Sequence, residues 1–598
     1  MRNRSNNFMK WNLDSIYGGF SSDKFKSDLL FLKKSIERFK RFKGISLKCK
    51  KDDEIISILE NIFSEYDEIY ILFTKLSSFV FLNMACDSNN KEAMDNDCVL
   101  KNIYVDVALI DFIITKVLST SDNVLSILNK SDMLVEYSFL IRELIDNSKY
   151  LLSDEVEETM VSLLNYGAIS YSTLQDTLIS KYKVELNIDG CIREIPLTEC
   201  RAMLENSNRS LRFEALKAEK KLYRYMEDPI SFALNNIKKS VIYDNKKRGY
   251  DSPLSKSLRD NRISEKTFDS LISVMRESLP LFRDFLKLKG RIIGDKHNKI
   301  YYSDLFVQTL ESKNKIDFSY ARDFLIRNFY DFSTRVGDFV KNAFDNNWID
   351  SDIYEGKVGG AFCSNINSIK ESRILLNFNN SYDSIFTLAH ELGHAYHGEL
   401  IKNERILNTD YPMTIAETAS IFFETLICDK AFNSVDEREK IIILEYELNS
   451  ATQVIVDIYS RFLFERDVFE RCENEFLTSD NLNSIMLNAQ KEAYGDSMHH
   501  EYFKEAWIYK SHYYDFNYNF YNYPYAFGLL FSLGIYDCYL NNSNDFHVKY
   551  EELLSKSGKN NLEDLGEIFN IDVSDKDFFR RSIEILKNKY YKYKDLVL

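Results

Sequence analysis

From about Ser22 to Leu178 apolar residues recur at three- and four-residue steps between charged ones, the period of helices with one buried face. In FKSDLLFLKKSIERF the recurring positions are Leu29, Leu32, Ile36 and Phe39. LSDEVEETMVSLLNYG carries Ser153 as an N-cap, then Asp154 and Glu155 in the first turn, where negative charge suits the helix dipole. That helix is expected to end near Gly167. The period then switches to two over Lys183 to Pro196, which alternates around Asp189-Gly190 and predicts a β-hairpin. Long helical segments follow from Thr198 to about Ile293. Ile300 to Phe306 and Arg373 to Phe378 read as short strands. From Ser384 onward the pattern is again mostly helical. The most apolar long stretch, Ile69 to Ala85, contains Lys75, Ser77, Ser78 and Asn83, so it reads as a buried helix rather than a membrane span.

The expected class is therefore mainly α, with a few short strands. Composition agrees: 19 glycines and 6 prolines in 598 residues are too few for a large β-sandwich or barrel. The chain is too long for one ordinary domain. With no repeat, low-complexity tract or Pro/Ser-rich linker, the hairpin is the best available boundary. It divides an N-terminal helical domain, 1–195, from a second domain, 196–598, with a large shared interface. A net charge of -15 and the lack of a basic stripe argue against nucleic acid as a partner. The nine cysteines are scattered and odd in number, which reads as reduced thiols in a cytoplasmic protein. The first residues, MRNRSNNFMKWNLDSIYGG, hold no apolar run and do not read as a signal peptide.

Chemistry is concentrated in TLAHELGHAYH, Thr387 to His397. On a helix, residues four apart share a face, so His390 and His394 can reach one metal ion. Glu391 is offset from that line, too far round to ligate and near enough to act on a water as base. Ile385, Leu388, Ala389, Leu392 and Tyr396 sit at helical spacing, and Ser381 or Asp383 can cap the start. Gly393 costs a helix about 1 kcal/mol relative to Ala, so a glycine there implies a close approach to the backbone, by a substrate or a second helix. Three of the eight histidines fall between 390 and 397, which argues against an incidental pattern.

A catalytic metal site needs a third protein ligand and an open position. Glu417 follows on a second apolar helix, with Ser420 and Glu424 three and seven residues later on the same face. Glu417 reads as the ligand, and Ser420 and Glu424 as groups that orient the histidines. The competing explanation is a capping box formed by Thr414 and Glu417, with no metal at all. Glu399, Glu404 and Asp410 lie at the helix end or in the loop and are held less rigidly. Two imidazoles and a carboxylate suit one zinc ion per chain, although cobalt or manganese could occupy the same ligands. His397 reads equally well as a residue behind the ligands or as the next turn of the helix.

GKVGGAFCS (Gly356 to Ser364), RILLNFNNSYDSIFTLAHELGHAYH (Arg373 to His397) and AETASIFFE (Ala416 to Glu424) together resemble the oligoendopeptidase F family, within the wider group of thimet-oligopeptidase-like metallopeptidases. WNLDSIYGGF (Trp11 to Phe20) resembles the start of that family, and YKSHYYDFNYNFYNYPYAFG (Tyr509 to Gly528) its late catalytic segment. The resemblance implies a two-lobed helical fold around a deep channel and cleavage within short peptides. It also implies His390, His394 and Glu417 as ligands, with Glu391 as base. In the late segment it implies a histidine and one or more tyrosines as transition-state donors. His512 is clear, and alignment favours Tyr518 and Tyr525 among several crowded tyrosines.

Donors of that kind stabilise the oxyanion of peptide hydrolysis. Eight tyrosines fall in the 29 residues from His499 to Phe527, and for any one of them packing is the simpler explanation. His499 and His500 read as surface residues. The strand before the metal helix could pair with an extended substrate or lie inside a sheet. Gly359, Gly360 and Ala361 would admit a substrate backbone or form a tight turn. Two other functions compete. One is a dipeptidyl carboxypeptidase, which needs a cation for the substrate carboxylate. The other is a peptide-binding protein without activity, disfavoured by the complete set of base and ligands. Short peptides are the expected partners, with no membrane and an open oligomeric state.

Overall fold

The computed structural model describes residues 9–188, 190–541 and 545–598. Most of the chain is helix, with five short strands among the described residues. In the N-terminal third, α1 (Asp23–Phe39), α2 (Asp52–Cys86) and α3 (Lys91–Leu118) form where the apolar period runs unbroken. The helix Asp154–Tyr166 starts after Ser153, which stands at the N-cap position without a side-chain cap bond, and it ends at Gly167. The hairpin pairs β1 (Lys183–Ile188) with β2 (Cys191–Pro196); Asp189 of its turn lies outside the described residues, as do Met1 to Phe8. After it runs α4 (Arg209–Arg248), on which β1 packs.

Ile300 to Phe306 is not a strand. Ile300 makes a single bridge to Met498, and the chain then turns through Tyr302–Asp304. The cause is Asp304, whose buried carboxylate is bound by Arg212 at 2.6 Å and Arg209 at 2.9 Å and draws the backbone inward. A three-stranded sheet is ordered β3 (Ile349–Asp350), β5 (Glu371–Leu376), β4 (Ala361–Ile366), with β3 parallel and β4 antiparallel to β5. β5, the strand just before the metal helix, is thus paired on both sides, and the edges are β4 and the two-residue β3.

The boundary at 195/196 is not where the chain divides. Contacts separate two compact units that the backbone visits in turn: 1–149, 314–430 and 538–570 form one, and 150–313, 431–537 and 571–598 the other. The reason is visible in the first unit's core. Apolar residues of α1, α2 and α3 share it with Ile366, Leu375, Ile406 and Leu407, which flank the metal motif in sequence. Buried Arg373 adds a polar clamp, donating to the Asn12 carbonyl at 2.8 Å and the Ser15 hydroxyl at 2.6 Å. α2 is, among the described residues, the one helix long and apolar enough to cross a membrane; Ile69, Leu76, Phe79, Val80 and Leu82 lie in this core.

Candidate metal centre

The helix α5 (Tyr382–Ile401) carries the histidine motif, and Ser381 caps it by accepting from the Ser384 N–H. Ile385, Leu388, Ala389, Leu392 and Tyr396 are buried, so the helix is anchored on its apolar side and its histidines are fixed in direction. Two further helices, α6 (Met413–Ala416) and α7 (Thr418–Phe432), meet at Glu417. Pro412, not Thr414, occupies the N-cap of α6, and no side-chain cap bond forms there. The capping-box explanation of Glu417 therefore fails.

Glu417 turns instead toward the histidines. Its Oε2 lies 3.2 Å from His390 Nε2 and 3.5 Å from His394 Nε2. Donor atoms around a four-coordinate metal with bonds of about 2.1 Å stand about 3.4 Å apart, so these spacings fit an ion between them. One ligand atom from each of His390, His394 and Glu417 lies within 4.8 Å of the others, the only such group among the described residues. His390 Nδ1 bonds Glu424 Oε2 at 2.8 Å, which fixes the ring and leaves Nε2 facing the centre. Ser420 donates to Glu417 Oε2 at 2.7 Å. It thus orients the carboxylate, not a histidine as its spacing had implied.

Electrostatics follow from burial around a small charged group. Burial opposes a charge on Glu417, but bonding to His390 and the nearby imidazoles prevail and hold its carboxyl down at about 2. His394, desolvated and beside His390, falls to about 4. Burial lifts the Glu391 carboxyl to about 7, opposed by His390 and reinforced by Glu417 and Glu424. A 6% exposed carboxylate beside a candidate metal-ligating set is the ordinary setting of a general base.

Gly393 shows what its lost helix propensity secures. A Cβ there would lie 2.5 Å from the Ala419 carbonyl oxygen and 2.6 Å from Ser420 Cα. The second helix, not a substrate, occupies that space. His397 is fully buried, bonds the Ser557 hydroxyl at 2.8 Å and stacks on Tyr411 at 4.1 Å. Neither neighbour belongs to the ligand set, so His397 belongs to the packing behind it. Glu399 and Glu404 pair with Lys402 and Lys559.

Gly359 and Gly360 precede β4, and Ala361 begins it. The turn before them is held by Lys357, whose buried ammonium donates to the Asp350 carboxylate at 2.7 Å and to the Leu376 carbonyl at 2.8 Å. β4 itself is not among the strands that the sequence pattern predicts. Cys363 faces the metal helix, where burial and the Glu391 charge push its thiol up. Asn365, on the same face, bonds the His394 carbonyl. The β4 sequence carries little signal, since Ala361, Phe362 and Cys363 are consecutive apolar residues and no alternation marks its faces.

His512, Tyr518 and Tyr525 lie in the second unit. Here α8 (Ile458–Cys472) and α4 brace the loop that precedes α9 (Tyr523–Asn541). Arg461 donates to Asn522 at 3.0 Å and Lys238 to Asn519 at 2.8 Å. Burial and the cations Arg461, Lys510 and Lys238 press the His512 imidazole down to about 2, so it is neutral and keeps one N–H to donate. Tyr525 and Tyr521 share a hydroxyl bond of 3.0 Å. Tyr518 is 61% exposed. Tyr514 and Tyr523 direct their hydroxyls to the carbonyls of Trp507 and Ser257 and belong to the packing. His499 is half-buried: its side chain bonds Asp295 at 2.9 Å and stacks on Tyr301 at 4.0 Å.

Against known proteins, residues 202–585 match Peptidase family M3. The chain is 24% identical over 529 residues to oligopeptidase PepF of Bacillus subtilis, covering 87% of this chain and 77% of that one. It is 23% identical over 602 residues to an oligoendopeptidase F homolog of Borreliella burgdorferi, covering 98% of each. Among solved structures, oligoendopeptidase-F from Enterococcus faecium superposes with a TM-score of 0.72 at 17% identity, over 96% of this chain and 99% of that chain.

Proposed function

Because the chain belongs to peptidase family M3 and is a metallopeptidase, we propose that it is a zinc-dependent endopeptidase of short oligopeptides, with Glu391 as the general base. One observation carries this reading. His390, His394 and Glu417 converge on a single point, and the buried Glu391 carboxylate lies on the adjacent helical position. Zinc would be held by these three residues, leaving a fourth position open. When bound, it supplies Lewis acidity toward a water and a peptide carbonyl.

The remaining steps belong to the chain. Glu391 takes a proton from the water that attacks the scissile carbonyl carbon. It returns that proton to the amide nitrogen as the C–N bond breaks, giving a free carboxylate and a free amine. Glu424 holds the His390 ring at Nδ1, and Ser420 holds the Glu417 carboxylate. His512 and Tyr525 are proposed donors to the oxyanion. The free edge of β4 offers backbone groups to an extended substrate, beside Gly359, Gly360 and Ala361. The nine free cysteines support a cytoplasmic setting.

The experiment is digestion of a mixed peptide pool with and without chelator, read by mass spectrometry, for the native enzyme and Glu391→Gln. Internal cleavage that chelator abolishes is expected, along with Glu391→Gln that keeps stoichiometric zinc and loses most activity. Near-normal turnover by zinc-loaded Glu391→Gln would remove Glu391 from the mechanism. Products confined to C-terminal dipeptides, and lost when the substrate is amidated, would make the enzyme a dipeptidyl carboxypeptidase.

A further inference from the structure

The metal helix contains a second glycine, Gly398, four residues beyond His394. A Cβ at that position would lie 2.4 Å from both Cγ and Oδ1 of Asn365. The carboxamide of a β4 residue therefore occupies the space that any side chain at 398 would need. From that slot Asn365 Nδ2 donates to the His394 carbonyl at 3.1 Å. In a regular helix this carbonyl already accepts from the residue four further on, which is Gly398 itself. Asn365 adds a second donor to one peptide group of a metal-ligating residue.

The other end of the carboxamide is fixed too. Asn365 stands directly across from Ser372 in the β4–β5 ladder, and the Ser372 hydroxyl donates to Asn365 Oδ1 at 2.7 Å. Donor and acceptor sides are thus both engaged, which sets the amide orientation and removes its freedom to rotate. Strand alternation puts Ala361, Cys363 and Asn365 on the face toward the metal helix. Phe362 points the other way, its ring against Phe81 at 4.9 Å and Trp11 at 6.2 Å. Asn365 is the polar link between the edge strand and the His394 turn.

We propose that Asn365 is a positioning residue that fixes the β4 edge relative to His394, and so sets where a substrate strand paired with β4 lies with respect to the metal. This rests on the reading of β4 as the substrate-pairing edge. Packing alone would ask for an apolar residue of similar size at 365. The geometry instead uses an amide donor, an opposing hydroxyl and a glycine across the helix, three features that serve one hydrogen bond. A shift of about 1 Å between reacting groups costs roughly 100-fold in rate, so a strand free to slide on the helix would be a poor template.

The test compares native enzyme, Asn365→Asp and Gly398→Ala, all zinc-loaded, on a quenched fluorescent peptide and on versions N-methylated at each backbone amide in turn. Asn365→Asp keeps the shape and the Ser372 bond but has no donor for the His394 carbonyl. Gly398→Ala leaves Asn365 intact and expels it from its slot, so it serves if the aspartate variant folds poorly. For the native enzyme, N-methylation at one or more positions is expected to lower kcat/KM at least tenfold. Both variants are expected to lose at least tenfold on the unmodified peptide, with zinc content unchanged, while the N-methyl penalty shrinks below twofold. Native-like kcat/KM in both variants would overturn the proposal. So would a loss with the N-methyl penalty intact, which would make Asn365 a residue of the fold or of the metal turn alone. If native enzyme shows no N-methyl penalty, the β4 reading itself fails, separately from any effect of the variants.

Discussion

Replacing Gly393 by alanine sets two known effects of opposite sign against each other. Alanine in a helix interior is favoured over glycine by about 1 kcal/mol. Against this, the new Cβ would sit 2.5 Å from the Ala419 oxygen, 2.6 Å from Ser420 Cα and 2.8 Å from the Ala419 carbon. All three are backbone atoms, so no side chain can rotate away. Ordinary carbon contacts begin near about 3.5 Å, and the two helices must therefore separate by about 1 Å. Overpacking of that kind costs about 1–3 kcal/mol, giving a net loss of up to about 2 kcal/mol. The larger effect should be on catalysis. The displaced residues are neighbours of Glu417, and Ser420 holds its carboxylate at 2.7 Å. A 1 Å displacement there predicts a fall in kcat/KM of roughly 100-fold. Urea unfolding of the zinc-loaded enzyme and peptide kinetics measure the two effects, with metal analysis to check loading. Gly18→Ala, with nothing within 4 Å of its Cβ, is the control and should change stability by no more than about 0.5 kcal/mol. A Gly393→Ala enzyme about 1 kcal/mol more stable, with kcat/KM within twofold of native, would refute the close-approach argument.

Glu417→Ala should lower zinc occupancy while Glu399→Ala, which only releases Lys402, should not; full occupancy in Glu417→Ala by metal analysis would remove it from the ligand set. His397 is held neutral by burial, its imidazole down at about 3, so between about pH 6.5 and 3 the unfolded chain binds a proton that the fold refuses. Stability present above pH 6.5 should fall on acidification by up to about 1.4 kcal/mol per pH unit from this group, and His397→Asn should flatten the urea-midpoint slope over that window. Tyr525→Phe should lower kcat by about 100- to 1,000-fold with KM little changed, Tyr518→Phe less, and Tyr513→Phe little. If Tyr521→Phe alone shows the loss, the donor is the other member of the Tyr521–Tyr525 pair.

What the sequence disclosed, it disclosed through periodicity and spacing. The helix Asp154–Tyr166, the β1–β2 hairpin and the metal helix all lie where local pattern put them, because each is specified by its own residues. Glu417 was ambiguous, since a capping box and a candidate ligand look alike in sequence; the N-cap at Pro412 and the 3.2 Å approach to His390 favour the second. Failures came where partners distant in sequence decide. Ile300 to Phe306 had a strand's composition, and the two arginines on Asp304 turned it. Ser420 lay on the right face, but its hydroxyl reached the nearer carboxylate. The interleaved units left no compositional mark, because the N-terminal helices fill the same core as Ile366 and Leu375.

The two glycines of the metal helix explain why so much of the site escaped the motif. A helix that presents two histidines needs only their four-residue spacing, and that is local. Holding the candidate third ligand and an edge strand at fixed distances requires other backbone to come close. Gly393 admits the backbone of α7, and Gly398 admits the amide of Asn365. Each glycine is a missing side chain whose place is taken by a residue more than 20 positions away in sequence. Its meaning is therefore steric and non-local. A glycine in the interior of a buried, ligand-bearing helix marks the direction from which the rest of the site arrives. In this helix the two glycines mark two directions, that of the proposed carboxylate ligand and that of the strand proposed to bind substrate.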